Sequence, residues 1–456
     1  MLWSYYYMDG EPHYRRFLSV VVAFVRSIIL LIFMSTLYGT LIGWDGLGIT
    51  SFLLVIYYKN RKSLGRSLIT ALTNRVGDAF LLVLLGLSLY PRGGPHLCLV
   101  LLLLTAMTKR AQYPFSRWLP AAMAAPTPVR ALVHSSTLVT AGLYLLLRFN
   151  PSGTEWLLPL GSVTLLMAGL CACGEIDIKK IVALSTLSQL GVMAVALALT
   201  IKALSFFHLI THAIFKALLF ICVGVGIHTV FGTQDFRTYG GLTQTLPWPS
   251  AFLCTANLAL LGFPFLAGFY SKDSILERFY NSGNGTLPLG IFLLGVGLTT
   301  AYSTKIVSLS LATPGGLAPA CLNAGGTVSP VKLPLLRLGA GAVLGGAVLA
   351  SGFRARAPVL APVDKTLPLV LIMVGAAVGR ALRRVKARFL SRMWDLTPAY
   401  QGLARGSERM RGLAVLDEGA GEALRGPGWL VLLLGGQLTL YPVLALGSLY
   451  VLPLVL

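Results

Sequence analysis

The stretch MTKRAQYPFSRWLPAAMAAPTPVRALVHSSTLVTAGLYLLLRF, residues 107–149, decides how the rest of the chain is read. It follows the apolar run 97–106, so Lys109 and Arg110 arrive where a bilayer-spanning helix is still in hydrocarbon, at a cost of about 2.5 kcal/mol or more each. Pro114 follows; it removes a backbone donor and clashes with the preceding turn. The helix is therefore expected to break near Lys109, leaving carbonyls free to solvate an ammonium or a water. After RWLPAAMAA the chain restarts at Pro126, Thr127 and Pro128, residues suited to a helix start, and the next apolar helix carries His134 in its first turns. A broken helix with an intramembrane lysine points to an ion path.

Composition sets the class independently. With 55% hydrophobic residues, 12% charged residues and a mean hydropathy of +0.76 over 456 residues, the chain is a polytopic, all-α membrane protein and no ordinary soluble globule. A net charge of +21 would suggest nucleic acid in a soluble domain. Here the cations fit loops facing a negative compartment and anionic lipid, and a nucleic-acid role is rejected. The six cysteines (98, 171, 173, 222, 254, 321) are scattered through mostly apolar runs, without the paired spacing of zinc or iron-sulfur ligands, and read as free thiols.

In chain order, MLWSYYYMDGEPHYRRF is neither a signal peptide nor an acid-poor transit sequence. Residues 17–58 are apolar for twice the length of a span, so two helices with a tight turn near residues 38–40 are expected. The second carries GWDGLG, with Asp45 in the membrane. A carboxylate there is stable when paired, and Lys109 is the economical partner; the alternative is a capping aspartate beside Gly46 and Gly48. The loop KNRKSLGR, residues 59–66, holds four cations and marks the cytoplasmic or matrix side. A helix over 68–89 carries NRVGD, with Arg75 and Asp78 spaced as a structural ion pair. Spans over 156–174 and 181–200 flank the hinge GEIDIKK, whose Lys179 and Lys180 fall on the same positive side.

The helix expected over 203–230 contains SFFHLITHAIFKALLF. His208, His212 and Lys216 recur every fourth residue and so share one stripe of an otherwise apolar helix. HxxxH is also zinc spacing, but no Glu follows the first His and no third ligand is evident. Two imidazoles with an ammonium one turn on make a proton relay, since neutral His is the side chain nearest balance at physiological pH; two core histidines satisfied by hydroxyl or backbone partners are the structural alternative. Next, LLGFPFLAGFYSKDSILERF should break a span at Gly262, Pro264 and Gly268, placing Lys272 and Asp273 beyond the break.

The block PFSRWLPAAMAAPTPVRALVHSSTLVTAG resembles, almost residue for residue, the seventh and eighth helices of the subunit 5 family of NADH dehydrogenase, the distal antiporter-like membrane subunits of respiratory complex I. The resemblance implies two inverted five-helix repeats, residues 17–149 and 150–312, each with a broken helix meeting a lysine. It also implies additional spans over 313–382, a lateral amphipathic helix over 383–428, and an anchor helix over 429–456, about 13 spans in all. It carries Asp45, Lys109, His134, His208, His212, Lys216, Lys272 and Asp273 over as a proton relay. The family usually has Glu where Asp45 stands and Ser where Arg110 stands; an adjacent guanidinium would disfavour a charged Lys109 unless it snorkels to a surface. About three further helices are implied ahead of residue 1, carried by a longer chain or a separate N-terminal fragment of the same subunit.

The resemblance places this chain in the mitochondrial inner membrane beside other membrane-arm subunits, especially the neighbouring antiporter-like ones, and lipids including cardiolipin. No cofactor is expected in this chain, which has no Walker loop, dinucleotide fingerprint, haem ligand pair or cysteine cluster; NADH, FMN, iron-sulfur clusters and ubiquinone belong to the whole complex. The rival readings are a subunit of a multi-subunit cation/proton antiporter, which shares the core motifs, a solute transporter, which needs a roomier polar site, and a non-pumping structural subunit.

Overall fold

Apolar runs of bilayer length leave a backbone in hydrocarbon with no water to bond, so each run satisfies its own donors and acceptors by coiling. The computed structural model describes residues 2–89, 95–149, 153–229, 232–235, 241–283, 285–312, 329–353 and 362–382, with Leu390 and Met393, all within the unit Met1–Trp394. After a short helix, Leu2–Tyr7, come α1 (Tyr14–Phe33), α2 (Leu37–Val55), α3 (Arg61–Leu89) and α4 (Pro95–Lys109). Short turns over 115–124 lead to α5 (Thr127–Phe149), then α6 (Leu157–Gly174), α7 (Ile178–Ala198) and α8 (Lys202–Thr229). The broken pair α9 (Pro247–Leu261) and α10 (Ala267–Tyr280) precedes α11 (Thr286–Val307), α12 (Ser329–Phe353) and α13 (Pro362–Ala381).

Nine helices among the described residues are long and apolar enough to cross a membrane, and two shorter apolar helices, His96–Lys109 and Thr366–Ala381, join them. Both expected breaks are present: α4 ends at Lys109, and α9 ends at Leu261 with Gly262 in the left-handed region at φ 85°. The expected lateral segment 383–428, apart from Leu390 and Met393, and the anchor 429–456 lie outside the described residues.

Two boundaries differ from the sequence reading. The first hairpin turns at residues 34–36, ahead of 38–40, because the Thr36 side chain accepts the Gly39 N–H at 3.1 Å and starts α2 there. Gly43 then lets α2 press onto α1; a Cβ at that position would lie 2.5 Å from the Leu31 nitrogen. The second difference is the basic cluster 59–66, expected as a loop. Helix α3 already starts at Arg61, and the exposed Arg61 and Arg66 stand on its first turns. Long basic side chains at a helix end reach headgroup depth along their own stems, so they need no loop to do so.

Helix α7 is the centre of the bundle. Every residue of its spanning window is buried, against 28% for α1 and 22% for α12, whose apolar outer faces suit lipid or protein neighbours. It packs on α6, α8 and α11. Small residues allow the tightest of these approaches: Gly161 of α6 and Gly191 of α7 face each other, and a Cβ on either would lie within 3.0 Å of the other helix.

Candidate functional site

Ending α4 at Lys109 turns the chain sharply: Ala111 adopts φ 55°, and the Trp118 indole donates to the Thr108 carbonyl at 2.9 Å. A carbonyl freed by the break is thus capped by an aromatic N–H. The Lys109 ammonium, fully buried, reaches instead to α2, donating to the Trp44 carbonyl at 2.6 Å and lying 3.8 Å from the centroid of a Trp44 ring.

The pairing expected between Asp45 and Lys109 is not what forms. Asp78 of α3 is the carboxylate beside Lys109, at 3.9 Å, held there by the Trp44 indole donating to its Oδ1 at 2.8 Å. Asp45 pairs with Arg75 at 3.7 Å, and Arg75 also approaches Asp78 at 3.6 Å. Trp44 and Asp45 are consecutive on a helix and point about 100° apart, so only one can face the break. The result is an alternating row of charges, Asp45, Arg75, Asp78 and Lys109. It borders a cavity of about 250 Å³ lined by Asp45, Phe52, Asn74, Arg75 and Asp78. The Asn74 amide, 2% exposed, has no hydrogen-bond partner among the described residues, and Ile49, Phe52, Leu68 and Ala71 make much of the cavity wall apolar. Asp78 was read from the sequence as half of a structural pair; its burial makes it a site residue.

Arg110 does not snorkel. It is fully buried and donates to the Leu190 carbonyl at 3.1 Å, while its Nε and Nη1 have no partner among the described residues. Arg130 is nearly as enclosed; it donates to the Ala125 carbonyl, and its Nε and Nη1 are likewise unsatisfied.

His134 sits fully buried on a π-helical stretch of α5, Arg130–Thr137, that packs along α8, with its ring 6.4 Å from that of Trp118. Neither ring nitrogen has a hydrogen-bond partner among the described residues, and the same holds for His212. Trp118 therefore bridges His134 to the broken end that carries Lys109.

On α8 the stripe forms as expected. His208 and His212 lie with ring centroids 6.3 Å apart, His208 Nδ1 meets the Ser271 hydroxyl at 2.9 Å, and Lys216 donates to the Ser185 hydroxyl at 2.5 Å. Helix α10 brings Ser271 and Lys272 in from the second break. Gly268 makes that approach possible, since a Cβ there would lie 1.7 Å from the Ala259 carbonyl oxygen of α9. Lys272, 4% exposed, donates to the Thr299 hydroxyl of α11 at 2.9 Å. Asp273 is half-buried and lies in electrostatic reach of Lys272.

The structure thus joins His208, His212, Ser271 and Lys272 in one cluster and Lys109, Trp44, Asp78, Arg75 and Asp45 in another; Lys216 stands one turn beyond His212 on α8, and His134 is on the stretch of α5 that packs along α8. The lysines, histidines, carboxylates and Ser271 can hold or pass a proton; Trp44 and Arg75 position them. Missing from the sequence reading were the buried hydroxyls that receive the lysines, Ser185 and Thr299, and Lys305. The signal for the two hydroxyls was weak: Ser185 stands in ALSTLS and Thr299 in LTTAYST among other hydroxyl residues, each bonding a carbonyl of its own helix.

A transmembrane family described as NADH:quinone oxidoreductase/Mrp antiporter matches residues 34–299, more than half of the chain. The chain belongs to that family of antiporter-like membrane subunits. The relatives it matches are NADH-ubiquinone oxidoreductase chain 5 proteins. That of Anopheles quadrimaculatus is 43% identical over 416 residues, 86% of this chain and 72% of the relative. That of Lumbricus terrestris is 49% identical over 329 residues, 69% of this chain and 57% of the relative, so the chain spans little more than half of the latter's length. Among solved structures, the Mrp complex from Dietzia sp. DQ12-45-1b aligns with a TM-score of 0.72 at 24% identity, covering 95% of this chain and 51% of that one. The archaeal membrane-bound sulfane sulfur reductase aligns at 0.66 and 20% identity, covering 84% and 80%. At those identities the likeness is one of fold.

Proposed function

We propose that this chain is a proton-translocating membrane subunit of NADH:ubiquinone oxidoreductase in the mitochondrial inner membrane. On this reading the redox chemistry of NADH, FMN, iron-sulfur clusters and ubiquinone takes place in partner subunits, and this chain moves protons through Lys109, His134, His208, His212, Lys216 and Lys272. The observation that carries the reading is the burial of Lys109, Lys216 and Lys272, with a carboxylate at one break and hydroxyls at the other positions. A cation held in a membrane interior by this few partners is costly, and change of protonation is the function that explains keeping it. The rings of His134 and His212, without full hydrogen bonding among the described residues, suit bridging water, which a relay needs. Asp45 and Asp273 flank the two ends of the row, where neighbouring antiporter-like subunits would continue it.

The test is Lys109→Met in the assembled complex. Quinone reductase activity and proton stoichiometry are measured on the same vesicles; stoichiometry is expected to fall, and a normal value in an intact complex would overturn the reading. A cation/proton antiporter subunit shares this fold, and sodium flux in the same vesicles separates the two.

A further inference from the structure

We propose that the outer face of α1 is covered, in the native assembly, by a transmembrane helix of a partner subunit that carries an Asp or Glu at the depth of Arg26. The inference rests on the reading that this chain is one subunit of a larger membrane complex, and it does not depend on the proton path. One face of α1 is committed to this chain: Phe17, Val21, Phe24, Ser27 and Leu31 are its buried residues and fall on a single stripe. At about 100° per residue, Arg26 lies about 200° round from Phe24, so its side chain leaves the helix on the opposite side. It is exposed there and has no hydrogen bond, ion pair or ring contact among the described residues. Arg75 shows the usual arrangement for a guanidinium on a span of this bundle, lying 3.7 Å from Asp45 and 3.6 Å from Asp78.

Depth makes the lack of a counterion costly. Arg15 and Arg16 stand at the start of α1, at headgroup level, and the apolar run Phe17–Phe33 follows them with Arg26 near its middle. From Arg26 the helix continues for about 10 Å to Phe33 and runs back about 15 Å to Arg16, at about 1.5 Å per residue. Side chains on a helix lean toward its N-terminus, so this one points away from the nearer end of the span, and the farther end is beyond the reach of an arginine stem. A guanidinium held in hydrocarbon is rare and expensive, and a carboxylate, bidentate where geometry allows, is the partner that matches it.

The residues around Arg26 suit a helix as its neighbour. Ser19, Val22, Arg26, Ile29 and Phe33 are all exposed and follow one another at spacings of three and four, the repeat of about 3.5 residues along which a second helix packs. Val22, Ile29 and Phe33 supply the apolar contact, and the small Ser19 lets a facing backbone come close. Lipid tails would cover the apolar positions equally well but would leave the guanidinium unpaired. A helix bearing one acid satisfies both, and the carboxylate that Arg26 selects fixes that helix in depth and in rotation about its own axis.

The experiment places a photoactivatable benzophenone amino acid at position 29 in the full chain, leaves Arg26 intact, and identifies the adduct by mass spectrometry after irradiation of native membranes. The expected product is an apolar segment of a different chain with an Asp or Glu within about one helical turn of the attachment point. Adducts with lipid alone, with a peptide of this same chain, with a second copy of it, or with a partner segment that has no acid would each overturn the proposal. In parallel, Arg26→Met is expected to lower the yield of assembled complex on native gels by about five-fold, because the partner's carboxylate is left in hydrocarbon without its counterion. Replacing that acid by Leu in the Arg26→Met background is expected to restore the yield to within about two-fold, a compensation that a defect in folding of α1 would not show. Assembly of Arg26→Met at the unmodified level, or no recovery in the double variant, counts against the ion pair. Each of these results leaves the proton path standing, since that reading is decided by stoichiometry in Lys109→Met.

Discussion

The two helix breaks deliver a lysine to the interior in the same way and then treat it differently. At the first, Lys109 sits beside the Asp78 carboxylate in a row of four alternating charges, three of which line a cavity. At the second, Lys272 donates to the Thr299 hydroxyl, beside Ser271 and His208, and the neighbouring carboxylate, Asp273, is half-buried. A carboxylate fixes charge; hydroxyls and imidazoles hand protons on without holding a permanent countercharge. On the proton-translocation reading, the first break would hold charge and the second would pass it along.

The sharpest way to break that contrast is Asp78→Asn. It leaves Lys109 buried without its direct counterion, a change that costs about 3–5 kcal/mol for buried pairs, and pumping is expected to fall to a few per cent, read as proton stoichiometry in the intact complex. Should Asp45→Asn prove equally damaging, the assignment of Asp78 as the direct partner would fall. Thr299→Val tests the other side. Removing one hydroxyl from a charged donor costs about 1–3 kcal/mol, so a several-fold loss, smaller than for Asp78→Asn, is expected in the same assay. Asp45→Asn comes next: its carboxylate, 38% exposed, pairs with a 63% exposed Arg75, and a loss of two-fold or less is expected.

The smallest effect on pumping, and the only gain, is expected at the buried guanidiniums. Arg110→Ser and Arg130→Ser each remove two nitrogens that have no partner among the described residues, and the double variant should raise the thermal midpoint of the purified complex without lowering proton stoichiometry. A lower midpoint would show that the guanidiniums are satisfied by something other than the described residues.

How far the sequence was legible follows the same division. The breaks were readable because Pro114, Gly262 and Gly268 act locally, and the His208, His212, Lys216 stripe was readable because a four-residue spacing fixes a face whatever packs on it. The partner of Lys109 was not. Helix α2 is apolar nearly all round, so nothing in its own pattern says whether Trp44 or Asp45 faces α4; that rotation is set by Gly43 lying on the Leu31 backbone of α1. Serine and threonine partners stayed hidden for a related reason. A hydroxyl in a span bonds its own helix carbonyl, as Ser185 and Thr299 both do, so its second role shows only when the facing helix is in place. Family membership placed the fold securely, yet it could not have shown that here a carboxylate on α3 stands nearest the first lysine.

The complete enclosure of α7 also bears on how the protein is made. This helix leaves the ribosome after α6 but before α8 and α11, both of which cover it. On first insertion it must meet lipid along the face that carries Ser185, Ser188 and Gln189, and it exchanges that contact for protein only once the chain has been synthesised as far as Val307. Maturation of the interior therefore waits on the later helices: a nascent chain halted before α11 would display those polar groups to the bilayer, a state that membrane quality control can recognise.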